Sequence, residues 1–163
     1  MKNARCLVVG RKEIEISCDV IRVLYEYRQK KFEDLEACGV IIGSRLSDGK
    51  KFWLRLCTAP QELDARSRSA FTLKDPNHQY YVNQCYVDSD GELGYMGTWH
   101  SHPQSTPQPS FLDRKDWAAC IERNPDRTLF FIIAGTSRFG IFTQDNGVME
   151  SSFFDYDEMM NGL

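Results

Sequence analysis

His100-Ser-His102-Pro-Gln-Ser-Thr-Pro-Gln-Pro-Ser110-Phe-Leu-Asp113 is the stretch on which the reading of this chain turns. Two of the three histidines in 163 residues sit two apart at the end of a predicted strand, Gly94–His102. Side chains at i and i+2 of a strand share a face, so both imidazoles can reach one ion. Pro103, Pro107 and Pro109 exclude regular structure in the segment that follows. The chain then enters a predicted helix over 111–123, with Asp113 in its first turn. Two neutral imidazole nitrogens and one carboxylate make a three-ligand tetrahedral site whose fourth position is left for water.

A plainer account competes with this one. Ser110 followed by an acid three residues later is also how a helix N-terminus is capped. An isolated H-x-H is likewise a weak signal, more often two ordinary surface or core histidines than a pair of ligands. Taken jointly, the spaced pattern arises by chance in roughly 3 of 10,000 chains of this composition, with positions treated as independent. The two accounts are compatible, since Ser110 can cap the helix while its hydroxyl faces a metal.

Outward from that stretch, periodicity changes several times. Cys6–Val9 and the alternating Glu13-Ile14-Glu15-Ile16-Ser17 are split by Gly10-Arg11-Lys12 and predict a hairpin. Val20, Ile21, Leu24 and Tyr27 recur at helical spacing, which predicts a helix from Asp19, placed to cap, to about Lys31. Gly39-Val-Ile-Ile-Gly43, a turn at Ser47-Asp48-Gly49-Lys50 and the alternating 51–58 predict a second hairpin. The segment 59–69 is polar and irregular, 71–73 is a candidate strand, and Asp75-Pro76 opens a helix toward Val87. After the helix over 111–123, broken by 124–126, strands are expected at 128–134, 138–143 and 148–154. Interleaved elements of this kind predict an α/β (α+β) fold, a mixed β-sheet sandwiched by helices, in a single domain over residues 1–163.

Composition narrows the function classes. A content of 42% hydrophobic and 12% aromatic residues suits an ordinary globular core. A formal net charge of −3 gives no footprint for nucleic acid. Cys6, Cys18, Cys38, Cys57, Cys85 and Cys120 are irregularly spaced and include no CxxC pair. They predict reduced thiols, most of them buried, rather than a zinc finger or a disulfide framework. The apolar run Cys6–Val9 is too short for a signal peptide, and no run approaches the roughly 18 residues of a membrane span. A cytoplasmic protein without membrane or nucleic-acid partners is expected.

The pattern H-x-H-x7-S-x2-D, preceded by Glu36 in Glu36-Ala-Cys-Gly39-Val-Ile-Ile-Gly43, resembles the JAMM/JAB (MPN+) metalloprotease family. The resemblance covers about Cys18 to Gly140. It implies the cytidine-deaminase-like JAB/MPN fold and one Zn²⁺ per chain, held by His100, His102 and Asp113. It also implies amide hydrolysis, with Glu36 as the proton carrier and Ser110 as the oxyanion donor. Without the resemblance, Glu33, Asp34 and Glu36 are equal candidates for the base, and each reads as an exposed acid of a charged loop.

Arg66-Ser-Arg68-Ser-Ala-Phe71, His78-Gln79, Gly97-Thr-Trp99 and Trp117 look like the compact bacterial JAB branch, which includes the deconjugating peptidases of type II CBASS antiphage operons. The implied partner is a ubiquitin-like or conjugated protein with an extended C-terminal tail, with a nucleotidyltransferase-type protein as a conjugation target. Trp99, Arg66, Arg68 and His78 are the candidate substrate contacts. For Trp99 core packing competes with that role, for the arginines a solvated loop, and for His78 plain exposure at a helix start. Two other functions fit the same family: processing of a small sulfur-carrier protein, and a non-catalytic MPN scaffold. The complete set Glu36, His100, His102 and Asp113 speaks against the scaffold.

Overall fold

The alternation at Glu13–Ser17 becomes a hairpin in which Ile14 and Ile16 turn inward and Glu13 and Glu15 outward. Its strands, β1 (Ala4–Val9) and β2 (Lys12–Ser17), pair antiparallel around Gly10. The structure, a computed structural model, describes residues 3–46 and 49–162; Ser47 and Asp48 of the expected turn lie outside the described residues.

Helix α1 (Cys18–Glu26) is capped by Ser17, whose side chain accepts from the Val20 N–H. Asp19, expected as the cap, instead sits in the first turn and pairs with Arg22 at 2.9 Å. The helix also ends short of the expected Lys31. Arg28 folds back to donate to the Tyr25 carbonyl at 2.7 Å, satisfying an end group that a longer helix would have paired internally.

Next come β3 (Cys38–Arg45), β4 (Lys51–Cys57), the two-residue strand β5 (Ala65–Arg66) inside the segment read as irregular, and its partner β6 (Phe71–Thr72), where a strand is expected. Helix α2 (Asn77–Asp88), β7 (Gly94–Ser101), α3 (Phe111–Arg123), β8 (Phe130–Ala134), β9 (Arg138–Asp145) and β10 (Val148–Asp155) follow the sequence expectation closely. A closing helix, α4 (Tyr156–Met160), was not expected; Asp155 caps it by accepting from Asp157 N–H.

The main sheet has eight strands in the order β1-β2-β4-β3-β7-β8-β9-β10. The β2–β4 and β7–β8 pairs are parallel and the others antiparallel, so the sheet is mixed. One face carries α1 and the Tyr156 end of α4, packed on Ile14, Ile16, Ile41, Phe130, Ile132 and Ile141. On the other face, α3 lays Trp117 against Phe131, Ile133 and Phe142, and α2 lays Val82 against Val40 and Ile42. Covering on both sides explains why all five residues of β8 are apolar and buried. The sheet also curls: Lys12 Nζ reaches across to Thr143 Oγ1 at 3.2 Å and the Gln144 carbonyl at 2.9 Å.

All six cysteines are free thiols; Cys18 and Cys38 are buried, Cys6 is exposed and the rest are half-buried, fewer in the core than expected. Among the described residues no helix is long and apolar enough to cross a membrane.

A register break in β7 aims the functional residues. Ile41 faces Gly97 while Ile42 faces Tyr95, so β7 carries one extra residue there, and Gly97 has φ +134°. Met96 and Trp99, three apart, consequently both pack on the α1 face. An unbroken strand would put them on opposite faces and would turn His100 away from α3. Gly97 is required at this bulge because its backbone adopts a conformation that side chains disfavour.

Strands β3, β4 and β7 approach closely at Gly39, where a Cβ would collide with the Thr58 carbonyl and the Trp99 indole nitrogen. These are backbone and fully buried atoms that cannot swing aside. Gly39→Ala is therefore expected to destabilise the fold by about 3 kcal/mol, at the top of the usual overpacking range. A urea midpoint within experimental error of the parent's would contradict this packing.

Candidate metal centre

Glu36 lies just before β3, and its backbone is held from two sides. Its N–H donates to the Ser67 carbonyl at 2.7 Å, and its carbonyl accepts from Arg66 Nε at 2.8 Å. One residue on, Ala37 N–H donates to Ser101 Oγ at 2.8 Å, and the Ala37 carbonyl accepts from Ser101 N–H at 2.9 Å. Ser101 Oγ passes its own proton to Gln29 Oε1 at 2.8 Å, and the Gln29 amide donates to the Arg68 and Asp34 carbonyls. This web holds the carboxylate of Glu36 inward, with its side chain only 4% exposed. An exposed acid in a charged loop is not what forms.

Antiparallel pairing of β3 with β7 puts Cys38 opposite His100, which brings Glu36 to the end of the histidine strand. His102 prolongs that strand by donating its N–H to the Ala134 carbonyl at 3.0 Å. Its Nδ1 faces Gln104 Oε1 at 3.3 Å; an N–H donated there leaves the Nε2 lone pair free for the cluster. Asp113 arrives from α3, and the cap proposed by the plainer account is real. Ser110 Oγ accepts from Asp113 N–H at 3.1 Å, and Asp113 Oδ2 accepts from Ser110 N–H at 2.8 Å. The cap thus orients the carboxylate, presenting one oxygen to each imidazole.

The side chains are close enough to share one ion, with Asp113 turning a different oxygen to each imidazole. His100 Nε2 lies 3.1 Å from His102 Nε2, 3.2 Å from Asp113 Oδ1, and His102 Nε2 lies 3.2 Å from Asp113 Oδ2. Ligands about 2.0–2.1 Å from a tetrahedral Zn²⁺ stand about 3.3 Å from one another. Glu36 Oε1 is set further back, 3.8 Å from His100 Nε2 and 3.9 Å from His102 Nε2. One candidate ligand atom from each of the four residues falls within 4.8 Å of the others, so the group could hold a metal ion.

Electrostatics separates the two carboxylates. Burial, helped by the neighbouring Asp113 charge and opposed by His102, raises the Glu36 pKa to about 7. Burial acts upward on Asp113 too, but hydrogen bonds from His100 and His102 outweigh it and hold that carboxyl far below its ordinary range. Burial lowers the pKa of His100, although Asp113 opposes the shift. At the less buried His102, desolvation also acts downward, but Asp113 and Glu36 prevail and the pKa rises. One acid is thus held as a permanent anion while the other exchanges its proton near neutrality.

The remaining candidates are placed less uniformly. Arg66 touches the site through the Glu36 carbonyl. Arg68 lies over the Phe32 ring at 3.3 Å. Trp99 points away from the histidine face; it is fully buried and donates its indole N–H to the Thr58 carbonyl at 2.7 Å. His78 is not exposed, as a plain helix-start histidine would be, but buried between Thr58 and Asp64.

Sequence reading missed Phe71, whose ring stacks on His100 with centroids 5.0 Å apart, and the Ser101–Gln29 pair. Ser101 carried one usable signal: between two same-face histidines it had to turn inward, where a hydroxyl needs partners. A cleft of about 270 Å³ adjoins Asp113, between Phe71–Leu73 and Trp117. A larger one, about 840 Å³, is lined by Ser44, Tyr86 and Arg127 and includes none of the four cluster residues.

Residues 17–149 match the family model described as prokaryotic homologs of the JAB domain. A protein from Escherichia coli (strain TW11681) named CD-NTase/cGAS isopeptidase is 35% identical over 108 residues, 66% of this chain and 68% of its own length. Another of that name, from Vibrio cholerae serotype O1, is 33% identical over 134 residues, 82% of this chain and 80% of its own. A third, from Pseudomonas aeruginosa, is 28% identical over 127 residues, 77% of this chain and 79% of its own. With a match of that extent, carried across both the histidine strand and the Glu36 strand, the chain belongs to the prokaryotic JAB-domain family.

Proposed function

We propose that this protein is a zinc-dependent isopeptidase that hydrolyses the amide bond between the C-terminal tail of a ubiquitin-like modifier and a conjugated protein. The observation that carries this reading is the three-cornered arrangement of His100, His102 and Asp113 at 3.1–3.2 Å, with Glu36 set back behind it. The names of the relatives direct the choice of conjugate to a CD-NTase, a nucleotidyltransferase-type target, and the resemblance to the peptidases of type II CBASS operons supports a place in antiphage defence. Exposed Leu35, Phe111 and Leu112, each beside a residue of the site, suit a protein rather than a small substrate.

His100, His102 and Asp113 would hold the ion, which when bound would supply Lewis acidity and activate a water at neutral pH. Glu36 takes the proton of the attacking water and returns it to the leaving amine nitrogen. Burial favours the protonated carboxyl and the neighbouring positive charge of the site opposes it, a balance that suits a group which must both take and return a proton. The Ser110 hydroxyl accepts from Asp113 N–H, which leaves its own proton for the developing oxyanion. The Phe71 ring on His100 and the Trp117 wall limit the water that reaches the site.

Metal analysis of the purified protein is expected to give about one zinc per chain, and Asp113→Ala to lower that occupancy sharply. Full zinc content in the variant would reassign Asp113 to capping alone. Glu36→Gln should keep the zinc yet lower hydrolysis of a modifier–CD-NTase conjugate by ~10²–10⁴-fold; loss of metal in this variant would make Glu36 a ligand instead. Ser110→Ala is expected to lower kcat by ~10²-fold and stability by about 1 kcal/mol, because the hydroxyl serves both oxyanion and helix. A loss of stability without a loss of kcat would leave it only the capping role.

A further inference from the structure

Between β4 and α2 the chain makes an excursion, residues 59–76, that carries β5 and β6. Its outer part is the segment that touches the site: Ser67 and Arg66 grip the Glu36 backbone, and Phe71 stacks on His100. At its root stands Asp64, with a side chain fully withdrawn from solvent. Asp64 accepts from Gln61 N–H at 2.8 Å on one limb of the excursion, and from Lys74 and Asp75 N–H at 3.0 Å on the other. One carboxylate therefore ties both limbs together.

That knot is fastened to the body of the protein by His78. Its Nε2 lies 2.6 Å from Asp64 Oδ2, and its Nδ1 lies 2.6 Å from Thr58 Oγ1. The Asp64 carboxylate can only accept, which makes Nε2 the ring's donor and leaves Nδ1 facing the Thr58 hydroxyl, whose oxygen also accepts from Val40 N–H at 2.9 Å. The imidazole then carries its own proton on Nε2 and donates it to Asp64. The tautomer is set by the chain of partners and leaves neither side chain unpaired. Asp64 Oδ2 also lies 4.0 Å from Cys38 Sγ, two residues from Glu36, which places the knot directly beneath the start of β3.

The geometry points to His78 as a positioning residue for Glu36: through Asp64 it fixes the 59–76 arm, and the arm fixes the Glu36 backbone and the face of His100. This inference rests on the reading of Glu36 as the proton carrier. Misplacement of a reacting group by about an ångström costs on the order of 10²-fold in rate, so loss of the tie acts on kcat without touching the ion.

Substitution at His78 tests the tie because two amides mimic its two nitrogens separately. In His78→Gln the amide nitrogen reaches the place of Nε2 and keeps the bond to Asp64. In His78→Asn the shorter amide reaches only the Thr58 side, and His78→Ala keeps neither. Each variant is assayed for zinc content, for kcat on a modifier–CD-NTase conjugate, and for the rate of limited trypsin cleavage after Arg66 and Arg68 in the arm.

His78→Gln should stay within about 3-fold of the parent in kcat and cleavage rate. The Ala and Asn variants should lose ~10–100-fold in kcat and be cleaved at least ~10-fold faster, with zinc retained in all three. Equal cleavage rates in parent, Asn and Gln variants overturn the tie, as does an equal loss of kcat in Gln and Asn. A loosened arm with unchanged kcat overturns the link from arm to Glu36. If His78→Ala does not fold, the Gln–Asn comparison decides alone. A parent that hydrolyses no conjugate defeats the isopeptidase reading, and the trypsin rates then still decide the tie by themselves.

Discussion

The pairing of Cys38 with His100 across β3 and β7 is the constraint from which the rest of the site follows. It brings a carboxylate from the loop before one strand to the imidazoles at the end of another, although 64 positions separate Glu36 from His100 in the chain. Both strands are central and packed on both faces, so neither end can shift without breaking ladder bonds in a buried sheet. A site built on such strands is held more tightly than one carried on loops alone.

Gathering four ionisable side chains into a buried space is costly unless their charges are compensated. Within the protein, Asp113 finds compensation in two imidazoles and in the N–H of Ser110. Glu36 does not, and its proton affinity rises accordingly. The cluster therefore prefers one positive charge at its centre, and the chemistry attributed to Glu36 uses the same imbalance. The helix cap adds to this economy of parts: the bonds that start α3 also fix which oxygen of Asp113 faces which histidine.

A second layer of polar contacts sets the position of the first. Ser101 and Gln29 hold the Glu36 loop from below, while Arg66 and Ser67 hold it from the arm. The arm in turn hangs on Asp64 and His78. The roles of these residues have no local signature, because each acts through a contact between segments distant in sequence. Sequence reading reached Arg66 and His78 only as candidate substrate contacts, whereas the structure attaches them to the backbone and to the arm's root.

What the sequence determined by itself were the features with local causes. Period-two alternation and turn residues located the hairpins, and the Ser110–Asp113 start signal with the break at 124–126 located α3 over Phe111–Arg123. The spacing of His100, His102 and Asp113 named the cluster because strand and helix geometry are short-range. Local sequence left Glu33, Asp34 and Glu36 equivalent and only the family resemblance singled out Glu36; the physical reason it joins is tertiary, since the β3–β7 register and the Ser101 contacts turn it inward. It also decided which face the histidines take. Alternation makes His100 and His102 share a face, but the extra residue at Met96–Gly97 selects the one covered by α3, and a bulge is specified by the neighbouring strand as much as by the glycine that permits it.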